Sequence, residues 1–154
     1  MDLKTFANRI AKININSILR KIFNDPNIKE FVIERNQEQL WDRGIDAKGQ
    51  VIKTYNALGG NVYSNFTMIE KAKKGWRTDV VTLKDTGKFY KTFKVGTQPE
   101  YAEINANFEV HGESIAQNVD VTNILGLTQE NMPLLIQYIK PLFIKEFKAT
   151  LFKT

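Results

Sequence analysis

The stretch that decides the fold class is residues 101–110, which read YAEINANFEV. Every second residue from Ala102 to Val110 is apolar, and the residues between them are Glu or Asn. Strict alternation of this kind is typical of a β-strand that buries one face. A single apolar face is in turn typical of an antiparallel sheet covered on one side only. The pattern therefore predicts a strand over residues 101–110, a turn at Gly112-Glu113 and a second strand over residues 114–121.

Helical patterns lie on both sides of this predicted sheet. Apolar residues recur at intervals of three and four in residues 1–24, which predicts an amphipathic N-terminal helix suited to act as an arm that contacts neighbouring molecules. A second helix is predicted over residues 26–43 and a long C-terminal helix over residues 128–152, with Gly44 ending the second helix. The residues of the second helix expected to be buried are Phe31, Ile33, Leu40 and Trp41.

Residues 45–63 form the least regular part of the sequence. Periodicity fades and glycines accumulate there, which predicts a long exposed loop. Apolar side chains in an exposed loop are expected at subunit interfaces, so Tyr55, Leu58 and Val62 are interface candidates. After the loop, Ser64 is placed to cap a short helix over residues 65–74 that ends at Gly75.

Together these segments predict a single α+β domain over residues 1–154. The N-terminal helices and the long C-terminal helix are expected to pack on one face of a small antiparallel sheet, with residues 45–63 as an inserted loop. A chain of 154 residues with 42% hydrophobic residues is large enough to bury one core.

Composition removes several classes of function. The chain has no cysteine and one histidine, His111, so neither disulfides nor a thiolate metal site is expected, and no metal or cofactor is predicted. No apolar run approaches the length of a membrane span, so no membrane contact is expected. The net charge of +5 allows contact with DNA or with an acidic protein surface but requires neither.

The tripeptide Asp85-Thr86-Gly87 is the one segment with a catalytic counterpart. Aspartic proteases use Asp-Thr-Gly, with two carboxylates sharing a proton, so a single copy could work only in a homodimer. Here lysines flank the tripeptide on both sides and Phe89 follows, which favours a structural turn. In that interpretation Asp85 caps a helix running through Phe93, Gly87 allows a backbone to approach closely, and the aromatic residues anchor the turn.

A basic cluster precedes this tripeptide and is the best candidate for contact with a charged partner. It consists of Lys71, Lys73, Lys74 and Arg77. A solvated helix face is one interpretation of the cluster. The functional alternative is docking on an acidic ring or facing DNA in a channel.

Two segments taken in order resemble the phage virion-morphogenesis and tail-completion family, the small neck or minor-tail proteins of tailed phages. The first segment carries Tyr63-Ser64, Thr67, Lys71, Lys73-Lys74-Gly75 and then Val81-Thr82-Leu83-Lys84-Asp85-Thr86-Gly87-Lys88-Phe89. The second carries Ile124-Leu125-Gly126-Leu127-Thr128 before the C-terminal helix. The chain departs from the family pattern after Gly87 and before Leu125, where the usual arginines are absent.

The resemblance implies a non-enzymatic subunit of a ring between portal and tail, assembled in the host cytoplasm and carried in the virion. Its partners would be copies of itself, six or twelve to a ring, together with portal, adaptor or tail proteins, and it could contact passing DNA. A small basic DNA- or partner-binding accessory protein of a phage or prophage is the alternative.

Overall fold

The computed structural model describes residues 2–110 and 112–153 of the chain. Within these residues the chain forms an α+β domain, which confirms the predicted fold class. The α-helices are α1 (Leu3–Ala11), α2 (Ile15–Phe23), α3 (Pro26–Glu38), α4 (Asn65–Lys73) and α5 (Asn131–Leu151). The strands are β1 (Lys94–Thr97), β2 (Ala102–Asn105), β3 (Glu109–Val110) and β4 (Glu113–Ser114). His111 lies outside the described residues.

The N-terminal segment is two helices, so the single helix predicted over residues 1–24 is wrong. Asn14 has extended backbone angles, and its side-chain oxygen accepts a hydrogen bond from the Ser17 amide at 3.0 Å, which starts α2 anew. Ile18 and Ile22 of α2 are buried, whereas α1 buries no residue. Only α1 therefore keeps the exposure expected of an arm.

The second helix follows its prediction up to its last turn. α3 begins at Pro26, and the chain continues as a π-helical turn (Gln39–Arg43) that ends at Gly44 in the left-handed conformation, with φ +60°. Leu40 is buried and Phe31 and Ile33 are half-buried, but the prediction for Trp41 is wrong because its ring is exposed. The Lys84 ammonium lies 3.8 Å from the centre of that ring.

The strand predicted over residues 101–110 is divided between two small sheets. β1 pairs with β2 in one antiparallel sheet, and β3 pairs with β4 in the other. The break falls at Asn107, whose amide donates to Thr92 Oγ1 at 2.9 Å and whose side chain accepts from the Glu109 amide at 2.9 Å. These local bonds replace the ladder, although alternate residues remain half-buried throughout the stretch.

The second predicted strand, residues 114–121, is also wrong for most of its length. The chain leaves β4 directly into a 3-10 turn (Ile115–Gln117) and returns as a single bridge between Val119 and Thr54. Val119 is nevertheless buried in the core. The bridge ties the inserted segment of residues 45–63 to the sheet region.

Two clusters of buried side chains form the core. The first lies around Leu40, Val81, Phe89, Val119 and Ile124. The second joins α2, α3 and α5 to the β1–β2 sheet. Its buried members are Ile18, Ile22, Ile28, Val32, Val95 and Leu135.

Residues 45–63 contribute to the first cluster, so a wholly exposed loop is a wrong prediction. Ile45, Ile52, Val62 and Tyr63 are buried, with Ile45 bridging to Val51 across a tight turn. The β-bridges Ile45–Val51 and Thr54–Val119 fix the backbone of this irregular segment. Its apolar side chains can therefore point into the core. The segment is irregular in backbone but packed in part.

Candidate functional site

A cleft of about 590 Å³ opens beside Asp85-Thr86-Gly87. Its charged lining comprises Lys71, Lys84, Asp85, Lys88 and Glu113. Its apolar lining comprises Val81, Leu83, Phe89, Val110, Ile115 and Val119. A concave site with an apolar lining and a few polar groups is the usual form of a binding site.

The tripeptide shapes the wall of this cleft as a turn and not as a helix start. Gly87 has φ +78°, a left-handed conformation that glycine adopts without strain. The Lys88 amide donates to Thr86 Oγ1 at 3.4 Å, and the chain continues into the 3-10 turn Tyr90–Thr92 in place of the predicted helix. The predicted capping role of Asp85 is therefore wrong, and the glycine is explained by its backbone angle and not by a close backbone neighbour.

The aromatic anchors of the turn are confirmed. Phe89 and Phe93 are buried with their ring centres 5.1 Å apart, and Phe108 packs on Phe89 at 5.3 Å. Edge and tilted contacts of this kind add to the stabilisation from burial. They hold residues 85–89 against the core while the carboxylate of Asp85 stays exposed.

Lys71 is the half-buried cation of the cleft. Its ammonium lies 4.8 Å from the centre of the Tyr63 ring and 5.3 Å from that of Trp76. Burial lowers the pKa of Lys71, the Asp85 carboxylate opposes that shift, and Lys74 adds to it. Within residues 2–110 and 112–153 its ammonium has no hydrogen-bond or ion-pair partner.

Two tyrosines close to the cleft carry buried hydroxyls. The Tyr90 hydroxyl donates to the Thr82 carbonyl, and burial raises the pKa of Tyr90 well above its ordinary value of 10.0. Burial likewise raises the pKa of Tyr63, against hydrogen bonding with Thr82 that lowers it. The folded state thus favours the neutral form of both phenols.

This shift predicts loss of stability in alkali. A phenol whose pKa is raised by folding contributes stability that is complete below pH 10 and is lost as pH rises from there towards the folded-state pKa. We expect the free energy of unfolding, measured by urea titration, to fall above pH 10. Tyr90→Phe should cost about 1 kcal/mol at pH 7, because the Thr82 carbonyl loses its donor. Its stability should then fall less steeply in alkali than that of the parent chain, and equal slopes would contradict the assignment.

The basic cluster predicted from the sequence is split by the structure. Lys71 alone of its members lines the cleft. Lys73 pairs with Glu70 at 2.7 Å, Lys74 lies 4.6 Å from the centre of the Trp76 ring, and Arg77 pairs with Asp79 at 2.7 Å. Arg77 also donates to the backbone carbonyls of Trp41 and Asp42. The cluster is therefore partly neutralised within its own surface.

Two buried amide side chains, neither of them predicted from the sequence, hold Leu125-Gly126-Leu127. The Asn36 side chain donates to the Ile124 carbonyl at 3.2 Å and accepts from the Gly126 amide at 3.2 Å. The Gln39 side chain donates to the Gly126 carbonyl at 3.0 Å and accepts from the Thr128 amide at 2.8 Å. Asn36 is 0% exposed and Gln39 is 2% exposed. The signal for them was two polar residues three apart on the buried side of a helix.

The three interface candidates of residues 45–63 separate into two kinds. Tyr55 and Leu58 are exposed, as expected of a contact surface. Val62 is only 8% exposed and belongs to the first core cluster, so its proposed interface role is wrong. Its backbone carbonyl accepts from the Thr54 amide at 2.9 Å, which holds this end of the segment against the bridge between Thr54 and Val119.

Helix α4 presents apolar side chains to solvent, a feature that was not predicted from the sequence. Phe66 is 74% exposed and Ile69 is 55% exposed, while Met68 packs on the first core cluster. The signal was the spacing of three between Phe66 and Ile69, which places both on one side of a helix. We call this pair the α4 surface.

Helix α5 also leaves large apolar side chains exposed along its flank. Met132, Ile136 and Ile144 are exposed, and Met132 and Ile136 lie four residues apart on one side of the helix. Ile139, Leu142, Phe143 and Phe147 pack inward on the second cluster. We call the exposed trio the α5 surface.

Metal and membrane features are not found in the part of the chain that the structure describes. No group of three or more histidine, cysteine, aspartate or glutamate side chains is arranged there to hold a metal ion. None of the described helices combines the length and apolarity that crossing a bilayer requires.

Comparison of the chain with protein-family models, with curated proteins and with solved structures returned no match.

Proposed function

We propose that the chain is a non-enzymatic structural subunit of a tailed-phage virion. It would form part of a ring at the head–tail connector or neck, or at the top of the tail. Copies of the chain and the portal, adaptor or tail proteins above and below would be its partners.

The observation that carries the proposal is the presence of two different exposed apolar surfaces on one small domain. The α4 surface lies over the first core cluster and the α5 surface over the second. A ring requires a heterologous interface, in which one patch meets a different patch on the neighbouring subunit. Two distinct apolar patches supply that pair, and exposed apolar patches commonly mark protein interfaces.

The ordered resemblance described above also supports the proposal. Asp85-Thr86-Gly87 forms an anchored turn and Leu125-Gly126-Leu127 is held by buried amides, so both segments have structural roles. Burial lowers the pKa of Lys71, and the Asp85 carboxylate opposes that shift, so the charged group that acts on this lysine from the tripeptide is a single carboxylate. A protease dyad would instead require a second carboxylate at that position.

The experiment that tests the proposal is immunogold electron microscopy. An antibody raised against the purified chain is applied to particles from the culture that produces it, and we expect gold at the head–tail junction or the top of the tail. Gold label on the capsid shell, or no label on intact and detergent-opened particles, would contradict the proposal.

Substitution of the α4 surface gives a second prediction. Phe66→Ser with Ile69→Ser should leave folding intact, because both side chains are exposed, but should abolish incorporation of the chain into particles. The readout is the amount of chain that co-sediments with purified particles. Tyr101→Ser is the control, since it removes an exposed aromatic residue outside both surfaces. Equal incorporation of the double variant and the control would show that the α4 surface is not an interface.

A basic DNA- or partner-binding accessory protein is the second candidate, favoured by the net charge of +5. It predicts binding to duplex DNA whose affinity falls steeply with salt. Lys73 and Arg77 are paired with carboxylates, which weakens the attraction of this cluster for the phosphates of DNA. Anisotropy of a labelled duplex at two salt concentrations separates the two candidates.

A further inference from the structure

The Lys71 ammonium lies in the cleft beside residues 85–87, and its N–H groups can donate hydrogen bonds to a ligand. It sits near two aromatic rings, at 4.8 and 5.3 Å from their centres, and makes neither hydrogen bond nor ion pair within residues 2–110 and 112–153. The Asp85 carboxylate acts on the charge of Lys71 without forming an ion pair with it, so a ligand carboxylate can add charge-assisted hydrogen bonds that the described residues do not supply. The side chain is thus placed to receive an anionic group that enters the cleft.

The rest of the lining limits which anion fits. Asp85 and Glu113 also line the cleft, and their carboxylates would repel a polyanion such as a nucleic acid backbone. The rings of Tyr63 and Trp76 are already covered by lysines, which leaves them poorly placed to stack on bases. The lining carries Lys71, Lys84 and Lys88 against Asp85 and Glu113, three positive charges less two negative charges, which leaves +1. This charge balance suits a ligand with one negative group and an adjoining apolar part better than a polyanion.

The apolar lining supplies the complement for that second part. Leu83, Val110 and Ile115 line the cleft and are half-buried, so each presents apolar surface to it above the buried core. The cleft volume of about 590 Å³ is sufficient for a few amino-acid side chains. The Thr54 hydroxyl on the lining donates to the Val62 carbonyl and the Thr67 hydroxyl bonds to that of Ser64, and both retain acceptor capacity for a peptide N–H.

We propose that this cleft binds a short acidic and apolar peptide segment of a partner protein, with a carboxylate on Lys71 and a neighbouring apolar side chain on the surface formed by Leu83, Val110 and Ile115. The inference goes beyond the proposed ring, because the cleft is separate from the α4 and α5 surfaces. The two proposals can therefore fail independently.

The test is selection from a library of random ten-residue peptides displayed on yeast, using the immobilised full chain. Parallel selections use Lys71→Met and the control Lys74→Met, which removes the other lysine near Trp76 but does not line the cleft. We expect the parent chain and the control to enrich peptides with Asp or Glu next to an apolar residue. Lys71→Met should enrich none of these peptides.

The best selected peptide is then synthesised with a fluorescent label, and its Kd is measured by anisotropy. Lys71→Met should weaken binding about 10- to 100-fold, as loss of a charge-assisted hydrogen bond does, and Lys74→Met less than about twofold. Glu→Gln in the peptide should weaken binding to the parent chain equally and should have no effect on Lys71→Met. This comparison still decides the matter if Lys71→Met is poorly folded, because the peptide variant probes the parent chain itself.

Four outcomes would overturn the proposal. They are selection of no peptide, selection of peptides without an acidic residue, equal loss of affinity in the two lysine variants, and no loss for the Gln peptide on the parent chain. Displacement of the labelled peptide by a 20-base-pair duplex or by inorganic phosphate, at lower concentration than by the unlabelled peptide, would assign the cleft to phosphate ligands instead.

Discussion

Gln39→Leu is expected to remove about 3–5 kcal/mol from the free energy of unfolding, a large part of the total stability of an ordinary domain. The Gln39 side chain is nearly inaccessible, and it bonds to the Gly126 carbonyl, the Thr128 amide and the Asn131 side chain. Leucine has about the right volume but leaves these three groups without their partner. A buried polar group left unpaired costs about 1–3 kcal/mol.

The matched control for this prediction is Gln37→Leu. Gln37 lies two residues earlier and donates one hydrogen bond, to the Tyr90 carbonyl at 2.8 Å. It should cost about 1 kcal/mol, and the two variants are compared by urea denaturation monitored by circular dichroism. Equal midpoints would show that the bonds of Gln39 to residues 126–131 do not hold the C-terminal region on the core.

Gly44→Ala is expected to destabilise the chain by about 2–4 kcal/mol, from left-handed backbone strain combined with overpacking. Gly44 has φ +60° at the end of the π-helical turn. A Cβ atom at this position would lie 2.6 Å from Val80 Cβ and 3.3 Å from the Val81 backbone nitrogen. Val81 is buried in the first core cluster, so the neighbouring chain cannot move away freely.

Gly49→Ala separates the two contributions. Gly49 also has a positive φ, +77°, but an added Cβ meets nothing within 4 Å. This variant should cost about 1 kcal/mol from backbone strain alone. The difference in the free energy of unfolding between the two variants, measured by thermal and urea denaturation, gives the steric contribution. A difference near zero would mean that the backbone around Val80 moves to accommodate the added Cβ atom.

Signals carried by neighbouring residues predicted local structure well. Ser64 caps α4, its hydroxyl accepting from the Thr67 amide at 3.2 Å, and the helix ends before Gly75, as the sequence indicated. Pro26 begins α3, and Gly44 ends the π-helical turn that follows it. A cap depends on groups within four residues of one another, so its signal is complete in the local sequence.

Pairing between strands could be predicted only in part from the sequence. The alternation in residues 101–110 correctly indicated which side chains turn inward, because half-burial depends on the local period. It did not indicate that Thr92, fifteen residues away in sequence, would bond to the Asn107 amide and end the ladder. Competing side-chain bonds of that kind are set by the fold.

The candidate site shows the same division. The sequence identified Asp85-Thr86-Gly87 and the lysines as candidate residues. The structure gives Asp85 and Val62 other roles than the ones predicted. Asp85 lines a cleft instead of capping a helix, and Val62 packs in the core. In the sequence, Lys71 belongs to one basic cluster with Lys73, Lys74 and Arg77. In the folded chain, Lys71 is the member of this cluster that lines the cleft.

The sequence by itself determined the α+β class, the long C-terminal helix, the caps of α4 and the aromatic anchoring of the turn after Gly87. These follow from periodicity and from short-range hydrogen bonding, whose causes lie within a few residues. Tertiary structure alone decided the division of the sheet, the burial of Ile52 and Val62, and the amide bonds from α3 to Gly126. It also decided the cleft at Lys71. Each of these depends on groups far apart in the chain, and their meeting requires the whole core to form.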